Sequence, residues 1–333
     1  MSDDLPGVLR LQADWCETLG SPLYARLLER AAVDAEHGGP VARVLEPFAD
    51  DPRGSMLPLR LMGAANRLVL DGEAPSWDVG DAWEGTLTAA LHHERLPELI
   101  ARPVQTNEPG RTAALVGGFL LVARETGLPL RLLELGASAG LNLRWDRYRY
   151  ELGDARWGPA GSPAVVRPEL DGPPPPLDGD VEVAERRGCD QRPNNPSTEE
   201  GRLTLLSYCW PDQTARVELL RGALDVAREL PVRVEEAPAG DWIEKRLAEP
   251  AEGVATVVFH SIVWQYVPHE ERDRIRATLT TAGERATERA PLTWLRMEPG
   301  GEQTELRLTT WPGGDERLLA AAGFHGSPLR WIF

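Results

Sequence analysis

The residues best suited to ligand binding follow an apolar run near the middle of the chain. Leu132–Leu135 is apolar apart from Glu134, and the next stretch, Gly136–Asn142, is rich in glycine, alanine and serine. Glycines between a strand and a helix let the backbone approach a ligand closely, and the start of the helix presents unpaired N–H groups. The segment therefore predicts a loop that binds a nucleoside cofactor at the end of a buried strand.

The spacing of the small residues favours one kind of cofactor over another. The dinucleotide fingerprint G-x-G-x-x-G needs glycines at 136, 138 and 141, but Ser138 and Leu141 occupy two of these positions. The pattern E-x-G-x-[small]-x-G fits instead and resembles the first motif of class I S-adenosylmethionine-dependent methyltransferases, although Ser138 stands where glycine is common. A plain turn between a strand and a helix is the alternative. The resemblance implies these cofactor contacts: Glu134, Gly136, Ser138, Gly140 and Asn142.

Two later segments resemble the second and third motifs of the same superfamily. The predicted strand Val181–Cys189 ends at Asp190, whose two carboxylate oxygens suit the two ribose hydroxyls; Glu185 is the reserve candidate. After the next strand, Asp241 and the adjoining Trp242 occupy a position that the resemblance associates with adenine. The alternatives are a turn cap for Asp190 and a helix N-cap for Asp241.

A fourth apolar strand ends in an aromatic exit loop, Ser261–Pro268. Ligands of open α/β sheets bind at the carboxyl ends of strands, so the strand's His260 and the loop should face the crevice. We expect His260 and Tyr266 to be catalytic, and Trp264 and Gln265 to contact the substrate. Trp264 or Tyr266 would favour a sulfonium through cation–π contact. A buried histidine with satisfied hydrogen bonds is the alternative for His260.

A polar loop, Val104–Arg111, precedes the helix that leads into the first strand. Within it, Arg111 is suited to bind the methionyl carboxylate through two parallel hydrogen bonds. Asn107 is expected to face the substrate, and Glu108 is a second candidate for the catalytic base. The alternative is a surface linker.

Four segments together resemble an uncharacterised bacterial family of about this length that is known only as a domain of unknown function. This resemblance implies no reaction. The segments are Gln105–Glu108, Glu134–Leu143, Arg187–Asp190 and Trp210–Gln213.

The elements that must position these residues divide the chain in two. Residues 1–126 show helical spacing of apolar residues and predict an all-helical N-terminal domain. Residues 127–333 alternate short apolar strands with helices and predict an α/β, Rossmann-like class I methyltransferase core, mostly parallel with an antiparallel C-terminal edge. Prolines mark residues 147–180 as an irregular insertion, with a hairpin near Tyr148–Trp157.

The predicted elements have definite bounds. Helices are expected at Val8–Leu19, Pro22–Glu36, Leu57–Leu70, Ala82–Leu96, Thr112–Thr126, Asp212–Glu229, Asp241–Ala248, His269–Ala282 and Asp315–Ala322. Besides Val181–Cys189, strands are expected at Leu130–Leu135, Val232–Glu235, Val254–Phe259, Leu292–Met297, Glu305–Trp311 and Pro328–Phe333.

Composition narrows the class of protein. A net charge of −16 argues against binding to a nucleic-acid backbone, and no apolar run is long enough to predict a membrane span. The acidic start of the chain, Met1–Asp4, does not resemble a secretory signal, so a cytoplasmic location is expected. The consecutive His92, His93 and Glu94 cannot chelate one ion together on a helix, so no metal is predicted.

These observations predict an S-adenosylmethionine-dependent methyltransferase that acts on a small molecule, with the helical domain closing over the site. One alternative is an enzyme that uses the same cofactor without methyl transfer, for example by cyclisation. Another is a non-catalytic binding module with the same fold. The acceptor and the oligomeric state stay open.

Overall fold

The computed structural model describes residues 4–333, so residues 1–3 of the acidic N-terminus lie outside the described residues. The chain forms two compact units. One contains the chain up to Thr106 together with Thr198–Glu218, and the other contains Asn107–Ser197 and Leu219–Phe333. This division differs from the predicted boundary at residue 126.

The helices and strands have the following bounds. The helices are α1 (Leu5–Thr18), α2 (Pro22–Glu36), α3 (Pro40–Leu45), α4 (Leu57–Leu70), α5 (Thr88–Leu91), α6 (Leu96–Ala101), α7 (Thr112–Thr126), α8 (Glu199–Ser207), α9 (Thr214–Glu229), α10 (Ala239–Arg246) and α11 (His269–Gly283). The strands are β1 (Leu130–Leu135), β2 (Arg149–Leu152), β3 (Ala155–Trp157), β4 (Val165–Val166), β5 (Val183–Asp190), β6 (Arg233–Glu236), β7 (Ala255–Ser261), β8 (Leu292–Pro299), β9 (Thr304–Trp311), β10 (Asp315–Ala322) and β11 (Leu329–Trp331).

The first unit is built from α1–α6 and α8 around an apolar core. The predicted bounds of α2 and α4 are confirmed. The predicted helix Ala82–Leu96 is instead interrupted after α5, and a new helix starts at Leu96 with a proline in its first turn. Proline has no N–H to continue the preceding helix but is tolerated at a helix start, which explains the break.

The segment Trp210–Gln213 has a structural role in the first unit. The Trp210 ring belongs to the apolar core. Asp212 accepts hydrogen bonds from the Ser21 hydroxyl at 2.7 Å and the Leu23 amide at 2.9 Å. Gln213 donates to the Leu19 carbonyl at 2.6 Å. These contacts fix the start of α2 and explain why residues 198–218 group with the N-terminal helices.

The second unit contains an eight-stranded sheet in the order β11-β10-β9-β8-β7-β1-β5-β6. Strands β6, β5, β1, β7 and β8 are parallel, and β9–β11 are antiparallel. The sequence-based prediction of a mostly parallel sheet with an antiparallel C-terminal edge is therefore confirmed.

The prediction of a helix over Asp315–Ala322 is wrong, because this segment is strand β10. It pairs along its whole length with β9, and its last three residues also pair with β11. Gly313 and Gly314 both have a positive φ and lie in the turn that connects β9 to β10. Pairing on both sides outweighs the helix propensity of the alanine-rich end.

Both faces of the sheet are covered, which explains the continuous apolar runs of its parallel strands. On one face, Leu133, Val258 and Trp294 share an apolar cluster with α10 and α11. On the other, Phe259 meets Phe119 of α7 edge to face, with ring centroids 5.1 Å apart.

The insertion after β1 contains a small three-stranded sheet in the order β3-β2-β4. The predicted hairpin over Tyr148–Trp157 is confirmed as β2 and β3. The Trp157 ring stacks on Trp145, with centroids 5.3 Å apart.

The expected α-helix after the glycine loop is replaced by a six-residue 3₁₀ helix, Asn142–Arg147. The Tyr148 hydroxyl donates to the Leu141 carbonyl at 2.6 Å, and the Tyr150 hydroxyl donates to the Trp145 carbonyl at 2.8 Å. Side chains thus occupy carbonyls that an α-helix would offer to amides four residues later.

Candidate functional site

The candidate site lies where the strand order of the second unit reverses. The chain passes from β1 to β5 and β6 on one side, and then to β7 and β8 on the other. In open α/β sheets such a switch point leaves a crevice at the carboxyl ends of the strands. The loops that follow β1, β5 and β7 meet there.

The glycine loop, residues 136–141, is joined to the end of β5 by Asp190. One oxygen of the Asp190 carboxylate accepts from the Ser138 amide at 2.9 Å, and the other accepts from the Arg192 amide at 2.8 Å. The Asn194 amide donates to the Ser138 carbonyl at 3.1 Å. Asp190 therefore holds the glycine loop against the end of β5. The predicted contact of Asp190 with the ribose would use the remaining lone pairs of the same two oxygens.

The reserve candidate Glu185 lies earlier on β5. Its carboxylate pairs with Arg131 at 2.8 Å and with Arg187 at 2.5 Å. It is therefore placed away from the carboxyl end of the strand.

Three residues of the glycine loop have left-handed backbones: Gly136 at φ +66°, Ser138 at +51° and Gly140 at +67°. Serine rarely adopts this conformation. A Cβ on Gly136 would lie 2.2 Å from the Val263 side chain, and one on Gly140 would lie 3.1 Å from Val234. Both glycines are therefore required by close packing as well as by conformation.

Glu134 is the most unusual group at the site. Its side chain sits at the end of β1, only 2 % exposed, and its Oε2 atom has no hydrogen-bond partner among residues 4–333. Burial raises the pKa of the Glu134 carboxyl well above its usual range, although Asn142, Arg144 and Arg111 act in the opposite direction. Buried polar atoms are nearly always hydrogen-bonded, so this oxygen is suited to accept from a ligand.

Two further amide oxygens near the glycine loop share this property. The Oδ1 atoms of Asn142 and Asn194 are buried and have no hydrogen-bond partner among the described residues. Asn142 was predicted to contact the cofactor, whereas Asn194 was not.

Arg144, which the sequence analysis missed, supports the glycine loop from within the protein. Its guanidinium donates to the carbonyls of Ala139 at 3.1 Å, Gly140 at 2.7 Å and Leu230 at 2.8 Å. Burial lowers the pKa of Arg144.

The polar loop, Val104–Arg111, contacts the glycine loop. The Asn107 side chain accepts from the Leu141 amide at 2.8 Å. Glu108 accepts from the Gly110 amide at 2.9 Å and caps a short 3₁₀ turn. Arg111 donates to the carbonyls of Ser261 at 3.0 Å and Phe324 at 3.2 Å, which ties the loop to the end of β7.

His260 is fully buried, and both of its ring nitrogens are engaged. Nδ1 lies 2.6 Å from Glu298 Oε1, and Nε2 lies 3.0 Å from the indole nitrogen of Trp294. Because indole N–H only donates, Nε2 accepts and the ring proton is on Nδ1. These contacts argue against the predicted role of His260 as a base and favour the satisfied-histidine alternative.

The remaining predicted residues lie in the exit loop after β7 and at the start of α10. Gln265 and Tyr266 are exposed, while the Trp264 ring stacks on His260 with centroids 4.7 Å apart. Asp241 pairs with Arg274 at 2.5 Å and is not an N-cap, because α10 begins two residues earlier.

Trp242 packs in the apolar cluster under α10 and α11. The adenine-binding role of Asp241 and Trp242 stays a prediction.

A comparison with protein families identifies the chain. A family model described as an uncharacterized protein conserved in bacteria, DUF2332, matches residues 7–331. The chain belongs to the DUF2332 family. The predicted resemblance to an uncharacterised bacterial family is thereby confirmed. Searches of the curated proteins and of the solved structures found no match.

The four segments that suggested this family lie in different parts of the structure. Three of them, Gln105–Glu108, Glu134–Leu143 and Arg187–Asp190, include residues of the candidate site, and Trp210–Gln213 belongs to the first unit. Among residues 4–333, no helix is long and apolar enough to cross a membrane. The same residues contain no group of three or more His, Cys, Asp or Glu side chains that could hold a metal ion.

Proposed function

We propose that the second unit is a Rossmann-like class I methyltransferase core, which binds S-adenosylmethionine at the carboxyl ends of β1, β5 and β7 and methylates a small molecule. Support comes from the parallel order β6-β5-β1-β7-β8, with its switch point beside the glycine loop. The observation that carries the proposal is the buried Oε2 atom of Glu134, which has no hydrogen-bond partner within the described range 4–333.

The residues around Glu134 suit the chemistry of this cofactor. The methionyl group carries an ammonium, which donates, and a carboxylate, which is attracted to positive charge. Glu134 and Asn142 offer acceptor oxygens for the first, and the charges of Arg111 and Arg144 favour the second. Asp190 would hold the ribose hydroxyls.

The protein's contribution to the reaction would be mainly positional. When bound, the cofactor supplies an electrophilic methyl group on a sulfonium. Holding an acceptor in line with that group removes much of the entropic barrier. A base is required only for a protonated acceptor, and Glu108 is then the better candidate because both His260 nitrogens are engaged.

Calorimetric titration with S-adenosylmethionine and S-adenosylhomocysteine tests the proposal. We expect Glu134→Gln to weaken binding by about tenfold or more, because the side chain loses its negative charge and one of its two acceptor oxygens. Glu185→Gln is the matched control, since it neutralises a carboxylate outside the site. Absence of binding to the parent protein at millimolar ligand would refute the proposed function.

A further inference from the structure

A buried polar network lies beneath the loop that leaves β7. Glu298, near the end of β8, accepts from His260 Nδ1 at 2.6 Å and from the Val263 amide at 3.1 Å. Its second oxygen accepts from the Trp264 amide at 3.3 Å. One carboxylate therefore fixes two successive amides of the exit loop.

His260 holds this carboxylate in place. The Trp294 indole N–H donates to His260 Nε2 at 3.0 Å, which leaves the Nδ1 proton directed to Glu298. The ring stacks on Trp264 with the two planes 10° apart. A second proton on the ring would break the hydrogen bond from Trp294, because the ring could then only donate.

The loop that Glu298 fixes has a strained backbone. Ile262 has φ +53°, a left-handed conformation that is rare for a β-branched residue. Such strain persists only where surrounding contacts over-determine the backbone, and it is frequent at functional sites. The next residue, Val263, packs on Gly136 of the glycine loop.

We propose that Glu298 and His260 are positioning residues, which hold the exit loop, Ile262–Tyr266, against the glycine loop and thereby set ligand affinity there. The part that concerns affinity rests on the proposed function. Neither residue acts on the reacting atoms. Their effect passes through the Val263 and Trp264 amides and the Ile262 backbone.

Hydrogen exchange of the Val263 and Trp264 amides tests the positioning role without any ligand. Glu298→Ala should expose both amides to exchange. Glu298→Gln retains Oε1 for His260 and Val263 but turns an NH₂ group toward the Trp264 amide, so protection should fall at Trp264 alone. Glu316→Ala is the control, because its carboxylate pairs with Arg296 and Arg307 and is partly exposed.

Titration with S-adenosylhomocysteine tests the effect on affinity. Glu298→Ala should weaken binding by about tenfold, with thermal unfolding used to choose a temperature at which every variant is folded. In an Ile262→Gly background the same change should cost much less affinity, because glycine adopts a positive φ without strain.

The outcomes separate the two proposals. Unchanged amide protection in Glu298→Ala, or lost protection with parental affinity, would overturn the positioning role. An equal loss of affinity in the Ile262→Gly background would also overturn it, since Glu298 would then not act through the loop backbone. If the parent binds no S-adenosylhomocysteine, the proposed function fails, and amide exchange alone decides whether Glu298 holds the loop.

Discussion

The Asp190 carboxylate accepts a hydrogen bond from the Ser138 amide at 2.9 Å and thereby joins the end of β5 to the glycine loop. Ser138 has φ +51°, so this contact stabilises a conformation that serine rarely adopts. The two motifs that resemble those of class I methyltransferases are thus coupled through a direct hydrogen bond.

Removing the Asp190 carboxylate should affect both stability and binding. Asp190→Ala deletes two charge-assisted hydrogen bonds, so we expect a loss of about 2 kcal/mol in the free energy of unfolding, measured with urea. Asp190→Asn retains one acceptor oxygen and should lose less. An Asp190→Ala protein that binds S-adenosylmethionine as tightly as the parent would refute the ribose assignment.

Glu134 should make stability depend on pH. Burial raises the pKa of this carboxyl in the folded state. The contribution of the protonated carboxyl to the free energy of unfolding is therefore fully present below the ordinary pKa of 4.5, and it is lost as the pH rises through the raised pKa. Relative to the parent, Glu134→Gln should therefore become increasingly stable as the pH rises above the ordinary value of 4.5 toward the raised pKa. Urea denaturation across that range checks this prediction.

Glu185→Gln serves again as the control for pH dependence. Its arginine partners lower the pKa of Glu185, although burial opposes them. The stability that Glu185 gains from its lowered pKa is present above the ordinary pKa of 4.5 and is lost at lower pH. The difference in the free energy of unfolding between Glu185→Gln and the parent should therefore stay constant above about pH 5. A constant difference between Glu134→Gln and the parent would contradict a buried carboxyl with a raised pKa.

Gly136 should tolerate no side chain. Gly136→Ala combines a left-handed backbone, which costs about 1–2 kcal/mol with a Cβ, with a 2.2 Å approach to Val263. We expect Val263→Ala to restore part of the lost stability in the double variant, because it removes the clash and leaves the backbone strain. Additive effects in thermal or urea unfolding would show that the two side chains do not meet.

In the first unit, Arg67 should be a major contributor to stability. The side chain is 7 % exposed and pairs with Asp71 at 2.9 Å and with Glu200 at 2.5 Å. Arg67→Met removes the charged hydrogen bonds of this buried guanidinium and leaves the largely buried Asp71 with Arg95 as a partner, so it should cost about 2 kcal/mol in urea denaturation. Arg102→Met, which breaks a more exposed pair with Glu200, should cost at most about 1 kcal/mol.

The products formed from S-adenosylmethionine distinguish methyl transfer from other uses of the cofactor. We expect S-adenosylhomocysteine to appear only when a mixture of small-molecule acceptors is added, and Glu134→Gln to reduce its formation. Mass spectrometry of the reaction detects both outcomes. Methylthioadenosine formed from the cofactor alone would instead indicate cyclisation or a related reaction.

The sequence alone determined most elements and the place where they should meet. Helical spacing fixed α2, α4 and α7, and apolar runs located the parallel strands, because these signals depend on neighbours a few residues apart. The resemblance to methyltransferase motifs implied that Glu134, Ser138 and Asp190 contact one cofactor, at the edge that the carboxyl ends of parallel strands share. In the structure the Ser138 amide donates to Asp190, and Glu134 lies at the end of β1, which pairs with β5.

Only the tertiary structure decided how distant side chains are used. Asp315–Ala322 became a strand because β9 and β11 pair with it, and Asn142–Arg147 became a 3₁₀ helix because tyrosines bind carbonyls that an α-helix would use. The two ring nitrogens of His260 are hydrogen-bonded to Glu298 and Trp294, which argues against a role of His260 as a base. The contacts of His260 span 38 and 34 residues, and the tyrosine contacts depend on how the chain turns back, so local periodicity carries no information about either.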